Sequence, residues 1–453
     1  MKRRKFLKRA LIGLPVIWLT PTLLASCQGE EEVAPNGKTV LIVGAGIAGL
    51  AAAQRLKSKG FSVIILESQD RIGGRLRTNR TLGIPFDEGA SWIHGPKGNP
   101  ITQLASAAGA NTFLTNDESV RVYDVDGKAY TDSALESAEN QFNNALNSVR
   151  NSGSMQQSFG AVFNALYPAQ ANQRLWKYML SAYLEFNTGA DISMLSSLHF
   201  DDDEEFNGSD VIITNGYDKI ADHLGRDIDI RLRKRVSSID YSGSKVLIKA
   251  NGEVFEGDYA IITVPLGVLQ SKTISFSPDL PVDKSAAIKR LEMGNINKFL
   301  LLWDKAFWDK DWQYIGYTPE IKGKFNYYLN LRKFSHTNAL MTFAFGDYAT
   351  HSESMSDEQV IDEITQHLRA IYGSGIPLPS QMLRTRWGSN IHSYGAYSFA
   401  ANGSTSSDFD TLAAPVSDKV FFAGEHTSRA YRGTVHGAYL SGIREANRII
   451  DLP

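Results

Sequence analysis

The stretch that most constrains this 453-residue chain is a glycine-rich turn set between a short apolar run and a helix-forming one. Thr39-Val40-Leu41-Ile42-Val43 is apolar and β-branched, the pattern of a buried parallel strand. Gly44-Ala45-Gly46-Ile47-Ala48-Gly49 follows at once, and a helical stretch from Leu50 to Leu56 ends near Gly60. Ser62 to Leu66 predicts a second strand, which ends in Glu67. Strand, GxGxxG, helix, strand and acid within about thirty residues is the fingerprint of a dinucleotide site. Gly44 permits the tight turn, Gly46 lets the backbone approach a pyrophosphate, and Gly49 lets helix and strand pack closely. The helix start, with Ala48 in its first turn, offers unpaired N–H groups and a positive dipole end to phosphates. Glu67 is placed to accept hydrogen bonds from a ribose. This pattern alone leaves NAD and FAD both open.

The next residues separate them. Arg71-Ile72-Gly73-Gly74-Arg75 resembles the second glycine motif of the flavin amine oxidase family, ExxxRxGGR, with two arginines for the charge of a pyrophosphate. Asp87 to Gly95, reading DEGASWIHG, resembles the D-x-G-A-x-W-I-H-G block of the polyamine oxidases in that family. Thr263 to Leu269, reading TVPLGVL, resembles another family segment and follows an apolar strand, Tyr259 to Ile262. Ala423-Gly424-Glu425-His426-Thr427 and Thr434-Val435-His436-Gly437-Ala438-Tyr439 resemble its C-terminal FAD block. The five blocks span residues 39–449 in the family's order.

The resemblance implies an α/β fold. A Rossmann-like FAD/NAD(P)-binding domain of the glutathione-reductase type would be interleaved with an α+β substrate-binding domain. The FAD-binding stretches would be 38–113, 215–285 and 385–453, and the substrate-binding stretches 114–214 and 286–384. Length agrees, since domains run at roughly 100–200 residues each. Within the substrate stretches, helices are expected at Leu135–Val149, Phe159–Leu166, Gln173–Leu184 and near Asp357–Ile371. Strands are expected at Lys298–Trp303 and Ala339–Phe345. The acidic run Asp201–Glu205 reads as a solvated loop, or more pointedly as an acidic entrance for a polycation.

The resemblance also assigns roles. Gly44, Gly46, Ala48, Gly49, Glu67, Arg75, Gly89, Ala90, Ser91, Trp92, Val236, Trp387, Gly424, Glu425, Thr434 and Val435 would contact FAD. Val236 would lie by the adenine, Glu425 by a ribityl or phosphate-side group, and the Val435 amide at the flavin pyrimidine edge. Lys298, in Met293-Gly294-Asn295-Ile296-Asn297-Lys298, would bond a water near flavin N5 and stabilise charge on oxygen. Tyr397 and Tyr439 would form an aromatic cage for the substrate amine, and His94 would lie near that amine. Glu185 is a weaker candidate for a distal ammonium. Where cysteine-tethered relatives carry their cysteine this chain has Ala396, so FAD would be non-covalent. The reaction implied is oxidation of a monoamine or polyamine to an imine by hydride transfer to flavin N5, with O2 reduced to hydrogen peroxide. Pro96-Lys97 stand where some polyamine oxidases carry acids. An L-amino-acid oxidase, an acceptor-linked amine dehydrogenase and an exported flavoprotein without oxidase turnover are the rival readings.

The N-terminus reads as an address. Residues 1–26 hold six lysines and arginines and no acid, so the rest of the chain carries −8 against −2 for the whole. No basic surplus points to nucleic acid. An apolar run from Ala10 to Leu24, broken by Pro15 and Pro21, reads as a signal h-region. Arg3-Arg4-Lys5-Phe6-Leu7-Lys8 resembles a twin-arginine export signal and Leu24-Ala25-Ser26-Cys27 a bacterial lipobox. The expectation is a lipid anchor on Cys27, a polar tether over 28–37, and a periplasmic or cell-surface, membrane-anchored lipoprotein. Cys27 is the only cysteine, and His426 and His436 lack a partner at ligand spacing, so no metal centre is expected.

Overall fold

Burial of the apolar runs organises the molecule around two sheets. The computed structural model describes residues 36–453. The basic start, the apolar run and Cys27 lie outside the described residues, so the export and lipid-anchor expectations concern a segment beyond them.

The first sheet has five parallel strands in the order Val420–Phe422, Tyr259–Ile262, Thr39–Val43, Ser62–Leu66, Asp229–Arg231. Thr39–Val43 is central, and Val40, Leu41 and Ile42 have no exposed surface. A parallel neighbour requires a crossover, and the helix Ile47–Lys57 supplies it. That helix packs on the C-terminal helix Val435–Ile450 at small residues. A Cβ on Gly442 would stand 2.1 Å from the carbonyl oxygen of Ala48. A four-stranded sheet (Glu253–Gly257, Val246–Ala250, Val236–Asp240, Ser275–Ser277) packs beside this unit.

The other large sheet has six strands: Gln381–Arg384, Ile296–Leu302, Ala339–Phe345, Lys324–Asn330, Tyr314–Tyr317, Val120–Tyr123. Every residue of Ala339–Phe345 is buried, because apolar clusters cover both faces. Helices Asp132–Ser152, Phe159–Leu166 and Arg174–Met179 close one face, and Asp357–Tyr372 the other. The expected strand at 298–303 begins two residues earlier, at Ile296. The helix expected over Gln173–Leu184 is not regular: α-turns give way to a π-helical segment, Leu180–Glu185, before Phe186–Thr188 resumes the α form. Such a one-turn widening inserts a residue into the helical phase and re-aims the side chains of the next turn.

The helix–helix contact at Gly442 is testable. Gly442→Ala should lower stability by about 1–3 kcal/mol, because the opposing atom is backbone and cannot yield. Urea unfolding with an unchanged midpoint would show that the contact does not limit stability.

Candidate active site

One elongated cavity of about 270 Å³ runs from the glycine turn to the six-stranded sheet. At the turn, Gly44 takes a φ of +106°, open to glycine at little cost. A Cβ there would stand 2.6 Å from Thr263 Oγ1, which donates to the carbonyls of Val43 and Gly44. A Cβ on Gly49 would be 2.1 Å from the Gly44 carbonyl oxygen, so this glycine serves close packing and does not line the cavity. A Cβ on Gly46 would meet nothing within 4 Å. The helix Ile47–Lys57 starts there with no side-chain cap and no acid in its first turn. Its N–H groups, with Ile47 and Ala48 at the cavity wall, are therefore left for an anion. This cradle fits a dinucleotide pyrophosphate.

Glu67 is 5% exposed and borders the cavity. One carboxylate oxygen accepts the Ala45 amide at 2.7 Å and the other the Gln69 amide at 2.8 Å. It thus shapes the glycine turn as well as facing the ligand side. The two arginines of the second glycine motif part company. Arg75 lines the cavity, whereas Arg71 folds back onto the carbonyls of Ile72 and Gly74 and braces the loop.

Arg75 Nη1 pairs with Glu425 Oε1 at 2.8 Å and also donates to the Ala396 carbonyl. The second oxygen of Glu425 accepts Ser398 Oγ at 2.6 Å and the Gly433 amide at 3.0 Å. Burial pushes this carboxyl up, but Arg75, His426 and Ser398 outweigh it and hold it below its ordinary value. Gly424, Thr434 and Val435 line the cavity beside it, and Val236 lines it further along.

Gly89, Ala90, Ser91 and Trp92 line the middle of the cavity with Lys298 and Trp387. Lys298 Nζ donates to the Asp87 carbonyl at 2.9 Å, the Gly89 carbonyl at 2.5 Å and Ser91 Oγ at 2.6 Å. All three protons of the ammonium are therefore directed onto one turn. Burial pushes Lys298 down to about 8, with Asp87 and Glu88 pulling the other way. Trp387 Nε1 donates to the Glu88 carbonyl of the same turn.

Beyond Lys298 the wall turns aromatic, with Trp92, Phe186, Phe343 and Tyr397. Trp92 and Phe186 meet edge to face at 6.1 Å, as do Phe186 and Phe343 at 5.1 Å. The Tyr397 hydroxyl donates to the Phe186 carbonyl at 2.5 Å. Tyr439 is not at this wall. Val435 and Ala438 take the cavity side of the C-terminal helix, and Tyr439 packs against the apolar layer of the parallel sheet. Phe186, Asn187 and Phe343 escaped the sequence reading. Phe343 lies in an apolar strand without a motif, and the aim of 186 and 187 depends on the π-helical turn. His94 lines the cavity with Nδ1 2.6 Å from Asp210 Oδ2, so a carboxylate orients its ring.

The remaining candidate acids lie elsewhere. Glu185 has no exposed surface and pairs with Lys322 inside the protein. The run Asp201–Glu205 is a loop that is solvated only in part, with Asp202 and Glu204 exposed. Asp201 is 6% exposed and pairs with Arg150, and Asp202 pairs with Arg432 at 2.6 Å. Asp203 and Glu205 face a small recess that shares Asn187 and Gly433 with the main cavity.

The Arg75–Glu425 pair gives a second test. Glu425→Gln leaves a partly buried guanidinium without its counter-charge, which should cost about 3–5 kcal/mol and loosen cofactor retention. Denaturant unfolding and the yellow absorbance per protein read both effects; wild-type values for both would dismiss the tie.

Known proteins resemble this chain along most of its described length. The family described as flavin containing amine oxidoreductase matches residues 47–450. Polyamine oxidase 2 of Arabidopsis thaliana is 35% identical over 93% of this chain and 90% of its own length. Lysine-specific histone demethylase 1 homolog 1 of the same plant is 35% identical over 94% of this chain, which spans only 53% of that longer protein. A putrescine oxidase solved with putrescine bound has the same mixed α/β fold, with a TM-score of 0.75 at 20% identity over 92% of this chain and 99% of that one. The chain therefore belongs to the flavin containing amine oxidoreductase family, enzymes that oxidise amines.

Proposed function

We propose that this protein is an FAD-dependent amine oxidase with the flavin held non-covalently in the long cavity. The observation that carries the reading is continuity: a phosphate cradle at Gly44–Gly46, Lys298 and an aromatic box border one cavity. Gly44, Gly46 and Ala48 would receive the pyrophosphate, Glu67 a ribose, and Val236 the adenine. The parallel sheet and its helical crossover would form the dinucleotide domain of the glutathione-reductase type. The six-stranded sheet would form the substrate domain, with boundaries near 114, 215, 286 and 385. Ala396 at the cavity wall supplies no sulfur for a tether. Bound there, FAD supplies the two-electron acceptor for the amine's α C–H and passes those electrons to O2.

The protein's own groups then do three things. Trp92, Phe186, Phe343 and Tyr397 exclude water and present ring faces to an amine. Lys298 places a positive charge where oxygen acquires electrons. His94, oriented by Asp210, lines the same cavity and would exchange a proton with the amine. Among the described residues, the box formed by Trp92, Phe186, Asn187, Phe343 and Tyr397 is aromatic and amide in character, which favours an amine over an amino acid. The polyamine oxidases among the relatives favour an amine carrying a second ammonium. The sequence pattern at 3–27 supports export and a lipid anchor on Cys27.

The test is anaerobic bleaching of the yellow protein by a panel of amines, polyamines and amino acids, followed by peroxide release in air. A flavin that no amine bleaches would overturn the proposal. Within it, Lys298→Met should slow reoxidation by O2 about a hundredfold while changing reduction little. The sign with pH comes from the depressed lysine. Its ammonium is present below about 8 and lost above, so wild-type reoxidation should slow as pH rises through about 8. The Lys298→Met profile should be flat there, and a flat wild-type profile in stopped flow would exclude this role.

A further inference from the structure

Behind the aromatic box lies a buried ion cluster that the chemistry above does not use. Glu185 ends the π-helical segment Leu180–Glu185. One of its oxygens receives Lys322 Nζ together with the Ile192 amide at 3.1 Å, and the other has no hydrogen-bond partner among the described residues. Lys322 Nζ also reaches Asp191 Oδ2 at 2.7 Å, while Asp191 Oδ1 accepts the Ser193 amide. Burial pushes Glu185 up to about 7 against the pull of Lys322. Two carboxylates and one ammonium buried together add little stability compared with apolar packing. What such a cluster can add is geometry.

The geometry it fixes is that of the cavity wall. The residue after Glu185 is Phe186, whose carbonyl accepts the Tyr397 hydroxyl. Asn187 comes next, bordering both the cavity and the side recess, and its buried Nδ2 has no partner among the described residues. Gly189, at a φ of +73°, lies under the Tyr397 ring so closely that a Cβ would be 2.6 Å from Cε2. From the opposite side, a Cβ on Gly294 would be 2.0 Å from the Gly189 carbonyl oxygen. Residues 185–192 are thus gripped at Glu185, Phe186, Gly189 and Asp191, and the grip at both ends passes through Lys322.

We propose that Glu185 and Lys322 are positioning residues for amine oxidation. Their pairing sets the phase of the π-helical turn, and the turn holds the Phe186 carbonyl on the Tyr397 hydroxyl, so that the Tyr397 ring and the Asn187 amide face the substrate. This inference rests on the cavity being the amine-oxidising site.

A double-mutant cycle on the flavin-loaded enzyme tests it. Lys322→Met should lower the apparent second-order rate of anaerobic flavin reduction about tenfold with Tyr397 present. In a Tyr397→Phe background, which lacks the hydroxyl, it should lower that rate less than about threefold. FAD content and reoxidation should stay as in wild type. In the flavin-free protein, amide exchange over 186–192 should speed up at least about tenfold. If Lys322→Met does not fold, Glu185→Gln combined with Lys322→Met removes both charges at nearly constant volume and takes its place. Equal losses in both Tyr397 backgrounds, or unchanged exchange over 186–192, would overturn the proposal. Wild-type protein that no amine reduces would instead overturn the functional reading beneath it.

Discussion

A buried carboxylate ties distant parts of this chain together across the cavity. Glu425 meets Arg75 from the N-terminal part and Ser398 and Gly433 from the C-terminal part. Taking a carboxylate out of water costs several kcal/mol unless donors surround it. Here a guanidinium, a hydroxyl and an amide do so, and burial no longer raises its pKa. The donors come from points 350, 27 and 8 residues away in sequence. The guanidinium, the one donor from the far end, is in place only once the chain has closed.

The turn from Asp87 to Ser91 plays the matching part in the middle of the cavity. It gives two carbonyls and a hydroxyl to Lys298, and the Glu88 carbonyl to Trp387. A Cβ on Gly89 would lie 1.8 Å from the Arg75 carbonyl oxygen, so this turn also presses directly on the residue that grips Glu425. The Asp87 carboxyl is pushed up to about 6 by burial, although Thr78 and the Tyr217 amide both donate to it. Lys298, the 87–91 turn and the Arg75–Glu425 pair form one continuous polar layer between the two sheets.

Much of this was legible in the sequence because it is local. The strand, glycine turn, helix and acid at 39–67 are neighbours along the chain, and periodicity reads neighbours well. The buried polarity of Lys298 was legible too, since an ammonium opening an apolar strand needs partners. What could not be read is direction. Tyr439 sits in the same motif as Val435, yet the helix turns it toward the apolar layer. Arg71 and Arg75 flank the same two glycines, but one folds back on its own loop. Glu185 and Asp201 are acids whose cations, Lys322 and Arg150, come from 137 and 51 residues away. Exposure of a charge is decided by such partners, which a single sequence does not pair. The aromatic box likewise gathers Trp92, Phe186, Phe343 and Tyr397 from four separate segments, and only two of them lie in motifs.

The arrangement also bears on the charge state of a bound amine. Lys298 Nζ lies 5.6 Å from the Trp92 ring centroid, and that ring is one wall of the box. A substrate ammonium in the box would share that wall with a second ammonium, and repulsion between like charges lowers the amine's pKa. Loss of contact with water in an aromatic enclosure lowers it further, as it does for Lys298 itself. An ordinary aliphatic amine with a pKa near 10 is thereby brought toward neutrality on binding, in the form with the lone pair that oxidation requires. On the proposed function, the charge that would assist oxygen at Lys298 and the neutrality demanded of the amine are consequences of the same buried lysine.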